Sequence, residues 1–244
     1  MPSQHLRGVL FDLDGTLVDS EKIWDITLRE LAAELGGELS AATRADMVGT
    51  NLLDTVTMLH DDLGIDADTA TSGRFLLDRT REYFARGLRW RPGAQELLHA
   101  VRTAGLPAAL VTSTTRDLVE VALDTVGRHH FDAVVCCDEV TRNKPHPQPY
   151  LRAAELLGLP PGACVAVEDS RTGAASAESA GCVVLAVPAE VPVPAGTRRL
   201  VRTSLVGVTV DYLVDLHRSF ATPGQIGPFG RLDPGDPPVR TGRT

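Results

Sequence analysis

The 244-residue chain has no run of about 18 apolar residues, so no membrane-spanning helix is expected. Its opening stretch, Met1 to Arg7, lacks the apolar core of a signal peptide. Positive charge is in deficit: 24 Lys plus Arg against 32 Asp plus Glu leave a net charge of -8. A nucleic-acid surface is therefore not expected. A small anionic ligand stays open, because local charge can oppose net charge. Cysteine is scarce as well. Cys136, Cys137, Cys164 and Cys182 show neither C-x-x-C spacing nor histidines at zinc-binding spacing, which points to buried reduced thiols in a cytoplasmic protein.

What is present is an apolar fraction of 43%, enough for a sizeable core. The length corresponds to about one and a half domains at roughly 150 residues each. Gly and Pro crowd the end: Ala221 to Thr244 holds five of each with few bulky apolar residues, the composition of a disordered tail. Upstream, short apolar runs alternate with helical patterns. Gly8–Asp14, Pro107–Thr112, Phe131–Cys136, Ala163–Val167 and Cys182–Val187 read as strands of a parallel sheet covered by helices. Helices are expected over Ala94–Ala104, from Ser170 to Gly181, and from Thr209 through Leu216. From Asp19 to about Trp90 every pattern is helical. Trp24, Leu28, Leu31 and Leu35 fall on one face, and Ala41–Val48, Leu52–Leu63 and Ala67–Arg86 follow. About seventy helical residues thus interrupt an α/β alternation straight after its first strand.

Asp12 and Asp14 carry the strongest chemical signal. In a strand, positions i and i+2 share a face, so both carboxylates would project together at the carboxyl end, where open α/β sheets place ligands. Two close carboxylates need a cation or a shared proton. A hard cation such as Mg²⁺ would keep Asp12 ionised, while Asp14 could carry a proton. Glu168 and Asp169 end another strand at the same edge, although taken alone they serve equally well as a helix N-cap. Val111 to Thr115 ends a strand and opens a helix, where hydroxyls and free N–H groups can hold phosphoryl oxygens, or merely cap the helix. Lys144, stiffened by Pro145 and Pro147, could neutralise a phosphate; by itself it reads as a solvated loop lysine.

Together, Asp12-Leu13-Asp14-Gly15-Thr16-Leu17-Val18-Asp19-Ser20-Glu21, Thr112, Lys144-Pro145 and Glu168-Asp169-Ser170 resemble the four motifs of the haloacid dehalogenase superfamily, in that family's order. The resemblance covers about residues 7 to 218 and is nearest to the β-phosphoglucomutase-like branch, which includes many sugar-phosphate phosphatases. It implies a Rossmann-like parallel-sheet core (1–18 and 91–220), an inserted all-helical cap domain (19–90) and the Pro/Gly-rich tail (221–244). It implies hinges at Leu17–Ser20 and Trp90–Gly93.

The resemblance further implies that Asp12 is the nucleophile and forms an aspartyl-phosphate, with Asp14 as general acid and base. Thr112, Ser113 (through its backbone N–H) and Lys144 would hold the phosphoryl group. Mg²⁺ would be bound by Asp12, the backbone carbonyl of Asp14 and Asp169, with Glu168 close by or acting through water. Trp24, Met47 and Asn51 are the cap residues expected to meet the rest of the substrate. Asp14 argues against a dehalogenase or a phosphonatase, which lack it. Thr16, Trp24 and an Arg-free Thr50-Asn51-Leu52 argue against a mutase that must grip a second phosphate. The expectation is a cytoplasmic, monomeric phosphatase acting on a small phosphorylated metabolite, a sugar or polyol phosphate, with a β-phosphoglucomutase-type mutase as the alternative. His129, His130 and His146 are expected in bland solvent or loop roles.

Overall fold

The computed structural model describes residues 5–221. The expected tail at 221–244 lies outside them, apart from Ala221. Six strands make one parallel sheet: β1 (Gly8–Phe11), β2 (Ala108–Val111), β3 (Ala133–Val135), β4 (Cys164–Glu168), β5 (Val183–Ala186) and β6 (Arg199–Val201), in the spatial order β3-β2-β1-β4-β5-β6. β1 lies between β2 and β4, so the order of the strands reverses there. Such a switch point opens a crevice at the carboxyl ends of the strands.

Successive strand residues face opposite sides, and the core divides accordingly. Val9, Phe11, Leu110, Val165, Val167 and Leu185 share one apolar cluster with helices α5 (Ala94–Thr103), α6 (Arg116–Val126) and α9 (Val210–Ala221). Leu10, Ala109, Val111, Ala166 and Val184 share the other with α7 (Gln148–Leu156) and α8 (Arg171–Ala180). Both faces of the central strands are therefore covered, which is why they read as unbroken apolar runs.

Between β1 and α5 come four helices: α1 (Glu21–Glu34), α2 (Ala41–Asp46), α3 (Leu52–Leu63) and α4 (Thr69–Phe84). They enclose a cluster of their own around Leu28, Leu31, Met47, Val56, Leu59 and Leu76. The chain leaves and rejoins the sheet at one place. Val18 pairs antiparallel with Trp90, Asp19 N donates to Arg89 O (2.8 Å), and Arg91 N donates to Leu17 O (2.8 Å).

Two expectations change. The first strand stops at Phe11, so Asp12 and Asp14 lie beyond it. Leu17 N and Val18 N both donate to Leu13 O, and Gly15, at φ 74°, turns the chain. β6 goes unseen in the sequence. It is a three-residue strand at the sheet edge, half-buried throughout, and leaves too little apolar pattern to detect. The four cysteines are free and buried. Among the described residues no helix is long and apolar enough to cross a membrane.

Candidate active site

The loops after β1, β2, β3 and β4 bring Asp12, Thr112, Lys144 and Asp169 to one crevice. Asp12 remains tied to the sheet, its N–H donating to Val167 O (3.0 Å). Its Oδ1 accepts from Lys144 Nζ at 2.7 Å. Lys144 is 4% exposed and spends its other donors on Glu168 Oε1 (2.7 Å) and Val111 O (3.0 Å). The lysine expected to look solvated is thus at the centre of a buried network. Burial pulls its pKa down, but the carboxylates of Asp12 and Glu168 outweigh that and hold it above the usual lysine value. Asp12 is pushed up to about 8 by burial and by the like charges of Glu168 and Asp14, against the pull of Lys144.

The side chains of Asp12 and Asp14 separate because the backbone turns between them. Asp14 Oδ1 accepts from Ser20 Oγ (2.7 Å) and Trp24 Nε1 (3.1 Å). Its Oδ2 accepts from Thr114 Oγ1 (2.7 Å) and, more weakly, from Thr112 Oγ1 (3.4 Å). The two acids therefore differ in surroundings: one faces an ammonium, the other a ring of hydroxyl and indole donors.

Glu168 is wholly buried and saturated. Besides Lys144, its Oε1 accepts from Tyr150 OH (2.5 Å), and its Oε2 accepts from Ser170 Oγ and the N–H groups of Asp169 and Ser170. Gly173 permits this, since a Cβ there would stand 1.9 Å from Glu168 Oε1. Asp169 is the opposite case: its Oδ2 is buried without a hydrogen-bond partner. Burial, Asp12, Glu168 and Glu21 push its carboxyl well above the usual range. Gly15 leaves room beside it; a Cβ there would lie 2.0 Å from that oxygen.

Asp12, Glu168 and Asp169 each offer an oxygen, and the three lie within 4.8 Å of one another. An orphaned buried carboxylate oxygen beside a second carboxylate, in an all-oxygen set, fits a hard divalent cation such as Mg²⁺. Asp12 and Asp169 are the better placed to hold it, because Glu168 is already taken by protein donors. The Asp14 side chain is likewise engaged elsewhere, leaving only its backbone carbonyl for the ligand role expected of it.

The crevice opens into a cleft roofed by α1–α4. Trp24 and Met47 line it. Asn51 does not: it caps α3, accepting from Asp54 N (3.1 Å) and donating to Asp54 Oδ2 (2.7 Å). Ser113 meets the helical insert through its hydroxyl, which donates to Gly49 O (3.1 Å); Thr172 Oγ1 donates to the same carbonyl (3.0 Å). Sequence pattern gave Ser20 and Thr114 no role toward Asp14 and missed Tyr150, because these contacts follow from distant folding partners. It also missed Glu21 and Arg44, a buried ion pair on the cleft wall (2.9 Å).

The sequence model of the haloacid dehalogenase-like hydrolases matches residues 9–187. The chain belongs to this family. Among its haloacid dehalogenase-like relatives is hexitol phosphatase A of Escherichia coli (strain K12), 35% identical over 207 residues, which are 82% of this chain and 89% of that protein. The solved structure of CbbY from Rhodobacter sphaeroides in complex with phosphate superposes with a TM-score of 0.77 at 26% identity, covering 85% of this chain and 99% of that one. β-Phosphoglucomutase from Clostridium difficile shares the fold, with a TM-score of 0.75 at 18% identity over 88% of this chain and 98% of that one.

Proposed function

We propose that the protein is a Mg²⁺-dependent phosphatase that hydrolyses a small sugar or polyol phosphate through an aspartyl-phosphate on Asp12. The observation that carries this reading is the division of labour between two neighbouring acids. Asp12 Oδ1 is fixed by Lys144, and among the described residues no hydrogen bond reaches its Oδ2. That oxygen is the one available to attack phosphorus in line.

Lys144 neutralises charge where a carboxylate meets a phosphate, and Thr112 with the Ser113 N–H receives the phosphoryl oxygens. As the P–O bond breaks, Asp14 gives its proton to the leaving alkoxide. It then takes a proton from the water that attacks the aspartyl-phosphate, releasing phosphate and restoring Asp12. The Ser20, Trp24 and Thr114 donors keep Asp14 aimed at that position. A cation held by Asp12 and Asp169 supplies further neutralisation of the phosphoryl charge. The helical insert serves as a cap (19–90) over a two-part core, excluding bulk water. Four free buried cysteines suit a reducing compartment such as the cytoplasm.

The test is phosphate release from a panel of hexitol and sugar monophosphates, with and without Mg²⁺, by wild type and Asp12→Asn. Release that needs Mg²⁺ and is lost in Asp12→Asn is expected. An Asp12→Asn protein with full activity refutes the mechanism. Glucose 6-phosphate formed from β-glucose 1-phosphate without free phosphate would point to the mutase instead.

A further inference from the structure

The cap end of the cleft contains an arginine that cannot act as one toward an anion. Arg44 donates through Nη2 to Glu21 Oε2 (2.9 Å) and to the Glu21 carbonyl (3.1 Å). Asp25 Oδ1 lies 3.5 Å from its Nε, and Glu190 Oε2 lies 3.3 Å from Nη2. One guanidinium thus faces three carboxylates, from α1 and from the loop after β5, and the cluster is net negative. The Arg44 and Glu21 side chains are only 8% and 9% exposed, yet both residues line the cleft. Arg44 engages one oxygen of Glu21. Among the described residues no hydrogen bond reaches the other, Oε1, so an acceptor of a largely buried side chain is left without a protein partner on the cleft wall. Trp24, Leu28, Met47, Leu52 and Leu77 supply apolar wall around it.

The two ends of the cleft therefore offer a substrate different partners. The sheet end, with Lys144 and a cation site, favours a phosphate. The cap end offers a hydrogen-bond acceptor in a negative surrounding, which suits hydroxyl groups and repels a second anion. We propose that Glu21, held in place by Arg44, accepts hydrogen bonds from hydroxyls of the leaving alcohol, so that the enzyme selects monophosphates of neutral polyhydroxy compounds and rejects esters with a second phosphate or a carboxylate. This rests on the phosphatase reading above and specifies what the cap recognises.

The experiment measures kcat/KM with Mg²⁺ for four esters: a hexitol 6-monophosphate, a hexose 1,6-bisphosphate, 3-phosphoglycerate and p-nitrophenyl phosphate, which has no tail hydroxyls. Wild type is expected to prefer the hexitol ester over both esters that carry a second anionic group by at least about a hundredfold. In Glu21→Gln the ratio of hexitol ester to p-nitrophenyl phosphate should fall about tenfold, the effect of losing a charged hydrogen bond. The penalty against 3-phosphoglycerate should narrow, because Arg44 loses a counter-charge.

A wild type that prefers the bisphosphate or 3-phosphoglycerate overturns the proposal without any variant. An unchanged ratio in Glu21→Gln overturns it as well. If no ester, p-nitrophenyl phosphate included, releases phosphate, it is the phosphatase reading that fails. Calorimetric binding of the hexitol monophosphate then decides: binding weakened about tenfold by Glu21→Gln upholds the recognition site, and no binding, or binding indifferent to the substitution, ends it.

Discussion

Gly173→Ala sets two physical effects against each other. Gly173 lies in the first turn of α8, where its N–H donates to the N-cap Ser170 Oγ (3.1 Å). Helix propensity alone predicts that alanine stabilises this position by about 1 kcal/mol. The structure predicts the reverse. The added Cβ would stand 1.9 Å from Glu168 Oε1 and 2.1 Å from Oε2, so either α8 or the carboxylate has to move by more than an ångström. Overpacking of this kind costs about 1–3 kcal/mol. The carboxylate that moves is the one holding Lys144 and Tyr150, and weakening two such bonds adds about 1.5 kcal/mol each. With the helix gain subtracted, a net loss of about 3–5 kcal/mol is expected. Urea unfolding followed by circular dichroism would show it as a lower midpoint at unchanged slope. Turnover should fall about a hundredfold or more, because Lys144 also orients Asp12. A variant that gains stability with kcat/KM intact would refute both the packing argument and the role given to Glu168.

Metal and pH are linked. A carboxyl whose folded pKa is raised binds its proton more tightly when folded. The stability this contributes is full below about pH 4 and is lost as pH rises through the Asp12 value of about 8. A cation removes that loss, so the rise in Tm on adding Mg²⁺ should grow between about pH 5 and pH 8; a rise independent of pH would contradict it. Trp24→Phe keeps an aromatic edge for Phe84 but deletes the N–H donated to Asp14. A fall in kcat of about tenfold is expected, with Tm nearly unchanged; equal kcat would remove Trp24 from the acid–base arrangement. Asn51→Ala should cost about 1 kcal/mol of stability as a lost N-cap while leaving kcat/KM little altered. A large rise in KM would return Asn51 to the substrate.

How much was legible beforehand depends on how local the cause is. Val9 to Phe11, Leu110 and Val165 to Val167 could be read as strands because burial on both faces leaves an unbroken apolar run. Leu52–Leu63 was readable from its helical pattern, and the structure caps it with Asn51 and Gly64. The crevice acids were readable because residues just past strand ends gather at one edge of a parallel sheet. Tyr150 was not, because nothing along α7 signals that its hydroxyl meets Glu168. Arg44 sits in a short polar helix, and its burial follows from carboxylates 23 and 146 positions away. Asn51 shows a related limit: an amide can serve a ligand or a helix end, and its place at the start of α3 becomes visible only in the fold.

The pairing of Val18 with Trp90 has a consequence for how such an enzyme diversifies. The chain departs from the core and comes back within a single rung of backbone ladder, so the sheet experiences the insert as a short loop whatever its length. Loop closure grows costlier only slowly with length, so segments of quite different size can be accommodated at that rung without disturbing β1 or the residues beyond it. Ser20 and Trp24, which both donate to Asp14, are the points at which the insert stays tied to the crevice. On the proposed function, replacing the segment between Asp19 and Arg89 would change which alcohol is accepted, while Asp12, Lys144 and Asp169 would be inherited unchanged.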